Sequence, residues 1–469
     1  MSAGAAIGSG LQCWDGLGPR HDGATVRGLG APGRRLVFGS LFGVVVKGGG
    51  VILAFASQVV VARSLGVEAF GVYVTVIAWV MVLSLLGGFG LPLCAVRFLS
   101  VYAERGQWAE YRGFLRHAAK LTAVSSLAAG VLMVAVFLLV PPLRPILPHT
   151  LVGATLILLL AASALASASF LAAQMPLRAD GLANVTRPLV LLVAVGALVL
   201  LGSEVGPGLA LALTVGAGFA ALLLQLVVLW RVDGGHWRGV ASTGDRRIWY
   251  SSGMAMLFTT TSYALMVKLD TIMLGSLISP TIAGPYDAAS RLAQIIGMAA
   301  APVLALLGPM SAQFLARGDR AGLQRILSRG AVLASLLAAV LGLALIVLAA
   351  PLLRLFGPDF VVARDALLLL AAGQVVIAVC GPADGVLAMA GRNRVLVVTM
   401  LIAVVADIGL QSVLIPQFGM LGAAMATVLT LSGVGVALAV CAWRQLHVDT
   451  TLIGGLIWVW RMRAGSAGR

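Results

Sequence analysis

The chain has 469 residues, 60% of them apolar and only 10% charged, against about 25% charged residues in an ordinary soluble domain. That balance excludes a soluble fold and belongs to a polytopic membrane protein. The net charge of +15 would suit nucleic acid, but cytoplasmic loops are themselves enriched in Lys and Arg, so the placement of the charge decides.

Residues 1–35 are Gly-rich and basic, with Arg20, Arg27, Arg34 and Arg35. They lack the apolar core of a signal peptide and read as a disordered cytoplasmic tail. Six apolar runs follow, at 36–62, 68–96, 117–140, 151–176, 186–203 and 207–230. Each is long enough, or nearly so, to cross about 30 Å as a helix. After a cytoplasmic link over 232–249 come six more, at 250–278, 283–313, 327–350, 362–390, 395–415 and 419–443. Gly and Pro mark the joints, as in "PPLRPILPH", "GSEVGPG" and "IPQFG". The last segment, 446–469, contains "TLIGGLIWVW" (451–460), too short to span and expected at the interface.

Twelve spans starting inside put alternate loops inside, and those segments hold 25 of the 32 Lys and Arg. The asymmetry predicts cytoplasmic termini and a multi-pass protein of a bacterial cytoplasmic (inner) membrane. It also disposes of nucleic acid as a partner, because the charge follows topology and forms no single patch. Trp230, Trp237, Trp249, Trp443, Trp458 and Trp460 fall at one level, as an aromatic belt among membrane lipids would. The four cysteines and five histidines are scattered with no paired spacing, so neither a disulfide framework, a metal site nor a cofactor is expected.

The halves repeat at an offset near 213. "GAGFAALLLQLVVLWR" ends at Arg231 and "GVGVALAVCAWR" at Arg444; "VGPGLALALTV" (205–215) lies on "FGMLGAAMATV" (418–428). "LGVEAFGVY" (65–73) answers "LGSLISPTIAGPY" (274–286). The order is kept throughout. A repeat of six spans starts each unit on the same side. The expectation is an all-α integral membrane fold, with an N-lobe over 36–231 and a C-lobe over 250–445 related by a pseudo-two-fold axis along the membrane normal.

The motifs "ARSLGVEAFGVY" (62–73), "GGFGLPLCAVRFLSVYAERG" (87–106), "AGPYDAASRL" (283–292) and "LIPQFGMLGAAMAT" (414–427) resemble those of the oligosaccharide flippases. These belong to the multidrug/oligosaccharidyl-lipid/polysaccharide exporter superfamily. The resemblance implies two six-helix lobes with a cavity open alternately to each side. It implies a polyprenyl-diphosphate-linked oligosaccharide as cargo, in cell-surface or exopolysaccharide assembly beside glycan polymerase machinery. Asp407 and Gln411 stand where asparagines are expected in many relatives.

Lys47, Lys268, Asp270, Asp287, Arg291, Asp384 and Asp407 are the ionisable groups expected inside spans. Such groups usually face an interior or a wet cavity. Left isolated, Lys47, Lys268 and Arg291 would together cost about 8–10 kcal/mol on insertion scales. The three are candidates for a cationic cavity that meets an anionic cargo. Lys47 precedes "GGG" (48–50), where the helix can bend. Lys268 and Asp270 lie about 200° apart around a helix and cannot share a face. At least one therefore needs a partner on another element. Asp287 and Arg291 have the i, i+4 spacing of an intrahelical ion pair, with Arg291 alternatively turned to phosphate. Asp270, Asp384 and Asp407 are candidates for coupling to H+ or Na+, or for structural pairing. Three rivals stay open at this level: a cation-coupled multidrug exporter, a membrane-embedded polysaccharide polymerase, and a scaffold without transport. An exporter of cationic drugs should offer carboxylates where this first span has Lys47. A polymerase should need a sizeable outer loop. No enzymatic step is expected.

Overall fold

A computed structural model describes residues 32–232, 240–244, 246–452 and 454 of the chain. Among the described residues the only regular structure is helical. The order is α1 (Pro32–Gly88), α2 (Leu91–Glu104), α3 (Trp108–Leu139), α4 (Leu147–Ala172), α5 (Pro176–Asn184), α6 (Thr186–Leu200) and α7 (Pro207–Val232). Then follow α8 (Arg246–Leu277), α9 (Pro280–Ala316), α10 (Arg320–Phe356), α11 (Arg364–Cys380), α12 (Ala383–Met389), α13 (Asn393–Phe418) and α14 (Met420–Leu446). Ten of the described stretches are long and apolar enough to cross a membrane. The first of these is long enough for two spans, and α8, 32 residues long, stands where the remaining expected span falls without being among the ten.

The first two spans form one 57-residue helix broken at Gly66, whose φ of 74° and ψ of 177° lie outside the helical region. Only glycine takes that conformation without strain. Five residues on, Gly71 lets the second arm of α1 touch the start of α9. A Cβ there would overlap the Pro280 carbonyl, and one on Gly284 would come within 3.1 Å of the Gly71 nitrogen.

Two compact units result. One holds 32–64 and 79–261 of the described residues, the other 65–78 and 262–454. The division differs from a cut between the sixth and seventh spans, because the N-terminal part of α8 packs with the first unit and the start of the second span with the second. Buried Trp249 of α8 donates its indole N–H to the Tyr102 hydroxyl at 3.1 Å and crosses Phe114 edge-on. Phe70 meets Phe360 at 5.6 Å between ring centroids. Trp249 is therefore a core residue, 2% exposed, and does not join an aromatic belt. Trp230 and Trp443, 213 residues apart, are 62% and 61% exposed. Trp237, Trp458 and Trp460 lie outside the described residues, as does most of 451–460.

The repeat is visible element by element. A Pro-led 3-10 turn separates the third and fourth helices of each half, at Pro141–Ile146 and Pro358–Ala363. In both halves the chain leaving the sixth span folds back as a strap over the start of the third. The Thr243 N–H donates to the Ala109 carbonyl at 3.2 Å, and Arg112 donates to the Val240 carbonyl. In the second half, the Gln324 side chain accepts from the Asp449 N–H at 2.8 Å and donates to its carbonyl at 2.7 Å. Arg112 and Gln324 are 212 residues apart, so one repeat position carries both straps.

The fifth span starts earlier than its hydropathy suggests. The segment Leu177–Leu200 is helical apart from a joint near Val185 and apolar enough to span. The polar run "LRADGLAN" reads as a loop, yet in a helix its backbone is satisfied internally. Arg178 and Arg187 both fall in that segment, which leaves 23 of the 32 Lys and Arg in the segments expected inside.

Candidate functional site

The second unit gathers most of the intramembrane charges around the contact of α8 with α9. Tyr286 and Asp287 are adjacent on α9 and reach two residues that point to different sides of α8. The Lys268 ammonium donates to Asp287 Oδ1 at 3.0 Å. Tyr286 donates its hydroxyl to Asp270 Oδ2 at 2.7 Å. Asp270 Oδ1 also accepts from the Thr271 N–H at 2.7 Å. The second element that Lys268 and Asp270 require is thus the same helix for both, and the partners lie 16 to 19 residues downstream.

Asp287 also accepts from Arg291 Nε through Oδ2 at 2.5 Å, one turn along α9. The carboxylate bridges two cations, and the triad carries one net positive charge. Its members differ in access. The side chains of Asp287 and Lys268 are 2% and 9% exposed, whereas that of Arg291 is 27% exposed. Arg291 spends one of its five N–H donors on Asp287 in this bond, and a guanidinium edge suits phosphate oxygens.

A second cluster lies on α13 and α14. Buried Asp407 accepts from the Gln411 amide at 2.9 Å through Oδ2. Asp407 Oδ1, Gln411 Oε1, Thr427 Oγ and Thr430 Oγ are buried with no hydrogen-bond partner. Thr430 stands beside Asp407 and Thr427 beside Tyr286, neither at hydrogen-bonding geometry. Asp407 is also close enough to Asp270 for their charges to interact. Buried polar atoms normally find partners; with Thr430 and Thr427 interacting with Asp407 and Tyr286, Asp407 Oδ1 and Gln411 Oε1 are the oxygens left for a bound proton or cation. Lys268 and Arg291 against Asp270, Asp287 and Asp407 leave one negative charge, which one H+ or Na+ would cancel. Among the described residues no group of three or more His, Cys, Asp or Glu could hold a metal ion.

Asp384 is not part of either cluster. It is exposed in the first turn of α12, after the break at Gly381 and Pro382, where a carboxylate favours the positive end of a helix. The side chain of Lys47 lies outside the described residues. Three residues on, Gly50 is buried and would bring a Cβ within 3.3 Å of the Asn184 carbonyl. Sequence reasoning missed Tyr286, Thr427 and Thr430 as members of the site. The signal for Tyr286 was present in "AGPYDAASRL", a phenol beside a carboxylate within an apolar span.

Ten stretches apolar enough to cross a membrane among the described residues, an internal repeat and buried ionisable groups define a polytopic protein with the fold of the MOP-superfamily transporters. An inward-facing multidrug resistance MATE family transporter of that superfamily matches with a TM-score of 0.70 at 12% identity, covering 88% of this chain and 96% of that one. The lipid II flippase MurJ, in an inward closed conformation, matches with a TM-score of 0.67 at 13% identity over 86% and 87% of the two chains. An outward-facing MATE transporter matches at 0.53, with 13% identity over 89% and 94%. At these identities the likeness shows the fold alone. The family model described as polysaccharide biosynthesis protein matches residues 36–315, and the chain belongs to that family. The MatE model matches residues 255–413. No curated protein matches the sequence.

Proposed function

We propose that this protein is a flippase that carries a polyprenyl-diphosphate-linked oligosaccharide from the inner to the outer leaflet by alternating access. The observation that carries the reading is the Lys268–Asp287–Arg291 triad, a net cation inside the second unit with one guanidinium left accessible. Family membership over residues 36–315 supports the same cargo chemistry. In this account Arg291 meets the diphosphate and Lys268 keeps the Asp287 carboxylate from neutralising Arg291 fully. The headgroup crosses while the polyprenyl chain stays in lipid, and no covalent step is needed.

A ligand shifts a two-state equilibrium only by its differential affinity for the states, so net flux needs a gradient. The orphan oxygens around Asp407, with Asp270 alongside, supply a place for a coupling H+ or Na+. The proposed setting is a bacterial cytoplasmic membrane with both termini inside, the side favoured by the Lys and Arg distribution. Glycan polymerase machinery is the expected neighbour there.

Proteoliposomes loaded with the labelled glycolipid test the reading. The protein should make the headgroup accessible on the opposite face faster than empty vesicles do, and a cationic dye should gain nothing. Dye export with no headgroup movement would instead establish the multidrug reading.

A further inference from the structure

Gln374 of α11 and Gln294 of α9 lie within stretches apolar enough to cross a membrane, Pro358–Met389 and Pro280–Ala316. Gln374 stands ten residues into α11, about 15 Å along the helix. Two glycines set where its side chain goes. Gly373 lies against α14, where a Cβ would come within 2.6 Å of Val428 Cγ2, and the next residue, about 100° round the helix, is left to meet α9. There Gly297 makes room for the amide, since a Cβ at 297 would come within 2.8 Å of Gln374 Oε1. Arg291, Gln294 and Gly297 follow one another at i, i+3 spacing, so each position neighbours the next on the surface of α9. The guanidinium and the two amides are thus carried within about 9 Å along that helix.

The protein does not satisfy either amide. Gln294 donates to Ser290 Oγ at 3.1 Å, which leaves its second N–H and its carbonyl oxygen. Among the described residues the Gln374 side chain has no hydrogen-bond partner. Both residues are half-buried. A polar group held in hydrocarbon without a partner is costly, so two such amides suit a wet site that a ligand enters. The fold does not itself demand an amide at 374: in the first repeat, 212 or 213 residues earlier, stands Ala162 or Ala161. An anion would use only the N–H groups, and a cation only the oxygens. A sugar hydroxyl, donor and acceptor at once, uses both sides of an amide. We infer that Gln294 and Gln374 bind the sugar next to the diphosphate, their amides meeting its hydroxyls while Arg291 meets the phosphate. The inference rests on the flippase reading proposed above and adds to it the residues that recognise the glycan.

The test uses the full chain in nanodiscs of phosphatidylcholine, titrated with polyprenyl diphosphate, either bare or carrying one hexose (glucose or galactose). Bound lipid is counted by native mass spectrometry. The wild type should hold a hexosyl form about tenfold more tightly than the bare lipid, the scale of two net hydrogen bonds. Gln374→Leu and Gln294→Leu should each bring that ratio to about threefold or less. Gly297→Ala, which pushes the Gln374 amide aside without removing it, should do the same. A wild-type ratio within twofold of one, or a ratio unchanged in all three variants, overturns the inference. So does a loss that falls equally on the bare and the hexosyl lipid, the mark of a merely structural role. Failure of the flippase reading has a different signature: bare polyprenyl diphosphate that binds no better than polyprenol, or binding indifferent to Arg291→Gln, whatever the hexose ratio. Binding of neither diphosphate lipid overturns both. Elution profile and melting temperature screen out misfolding, and if Gly297→Ala does not fold, the two Leu variants decide.

Discussion

Replacing Asp287 with Asn removes the one carboxylate that Lys268 and Arg291 share. At an effective dielectric of about 20, unit charges 3.0 Å apart attract by roughly 5–6 kcal/mol, before desolvation is subtracted. Breaking a buried pair by removing one partner costs about 3–5 kcal/mol in soluble proteins, because the other charge stays buried. Arg291 is partly accessible and recovers some solvation, so most of the loss falls on Lys268, whose side chain is 9% exposed. The expected loss for Asp287→Asn is about 3 kcal/mol. Lys268→Met leaves the Asp287–Arg291 pair intact and should cost about 1 kcal/mol, near the value of an accessible ion pair. The double variant Lys268→Met/Asp287→Asn should be more stable than Asp287→Asn alone, since it no longer strands the lysine. Reversible unfolding of the purified protein in mixed detergent micelles measures all three. An Asp287→Asn loss below about 1 kcal/mol, or a double variant no better than the single, would refute the bridging role.

Other expectations follow from the packing and the polar clusters. Gly71→Val should abolish folded protein, because any side chain there meets the Pro280 carbonyl, whereas Gly196→Ala, with nothing within 4 Å, should be neutral or gain up to about 1 kcal/mol from helix propensity. Trp249→Phe keeps the ring packing but drops the bond to Tyr102, at a cost of about 0.5–1.5 kcal/mol in the same unfolding assay. Asp407→Asn and Asp270→Asn should leave the protein folded and make headgroup flux insensitive to an imposed H+ or Na+ gradient. Flux that tracks the gradient unchanged in both would remove the coupling site.

The sequence made some of this legible and hid the rest for identifiable reasons. Helices need only apolar length and Gly/Pro punctuation, so the spans and their repeat could be read directly. The Asp287–Arg291 pair was legible because i, i+4 spacing sets geometry within one helix. Lys268 and Asp270 announced that they need partners, but the periodicity of one helix does not say which face of another it meets. Tyr286, Thr427 and Thr430 were missed on that account. Trp249 was misplaced because hydropathy marks the end of a span without saying whether the indole turns to lipid or to Tyr102. The start of the fifth span was late because a helix in protein surroundings tolerates Arg178, Asn184 and Arg187, which a loop would also carry.

The most direct measurement is the initial rate of headgroup translocation in proteoliposomes for a diphosphate-linked and an uncharged glycolipid of the same chain, with wild type and with Arg291→Gln. The account predicts that wild type moves the diphosphate form at least tenfold faster, and that Arg291→Gln erases the difference while Arg291→Lys keeps part of it. Equal rates for the two lipids in wild type, or a preference untouched by Arg291→Gln, would contradict an anion cradle at the α8–α9 contact.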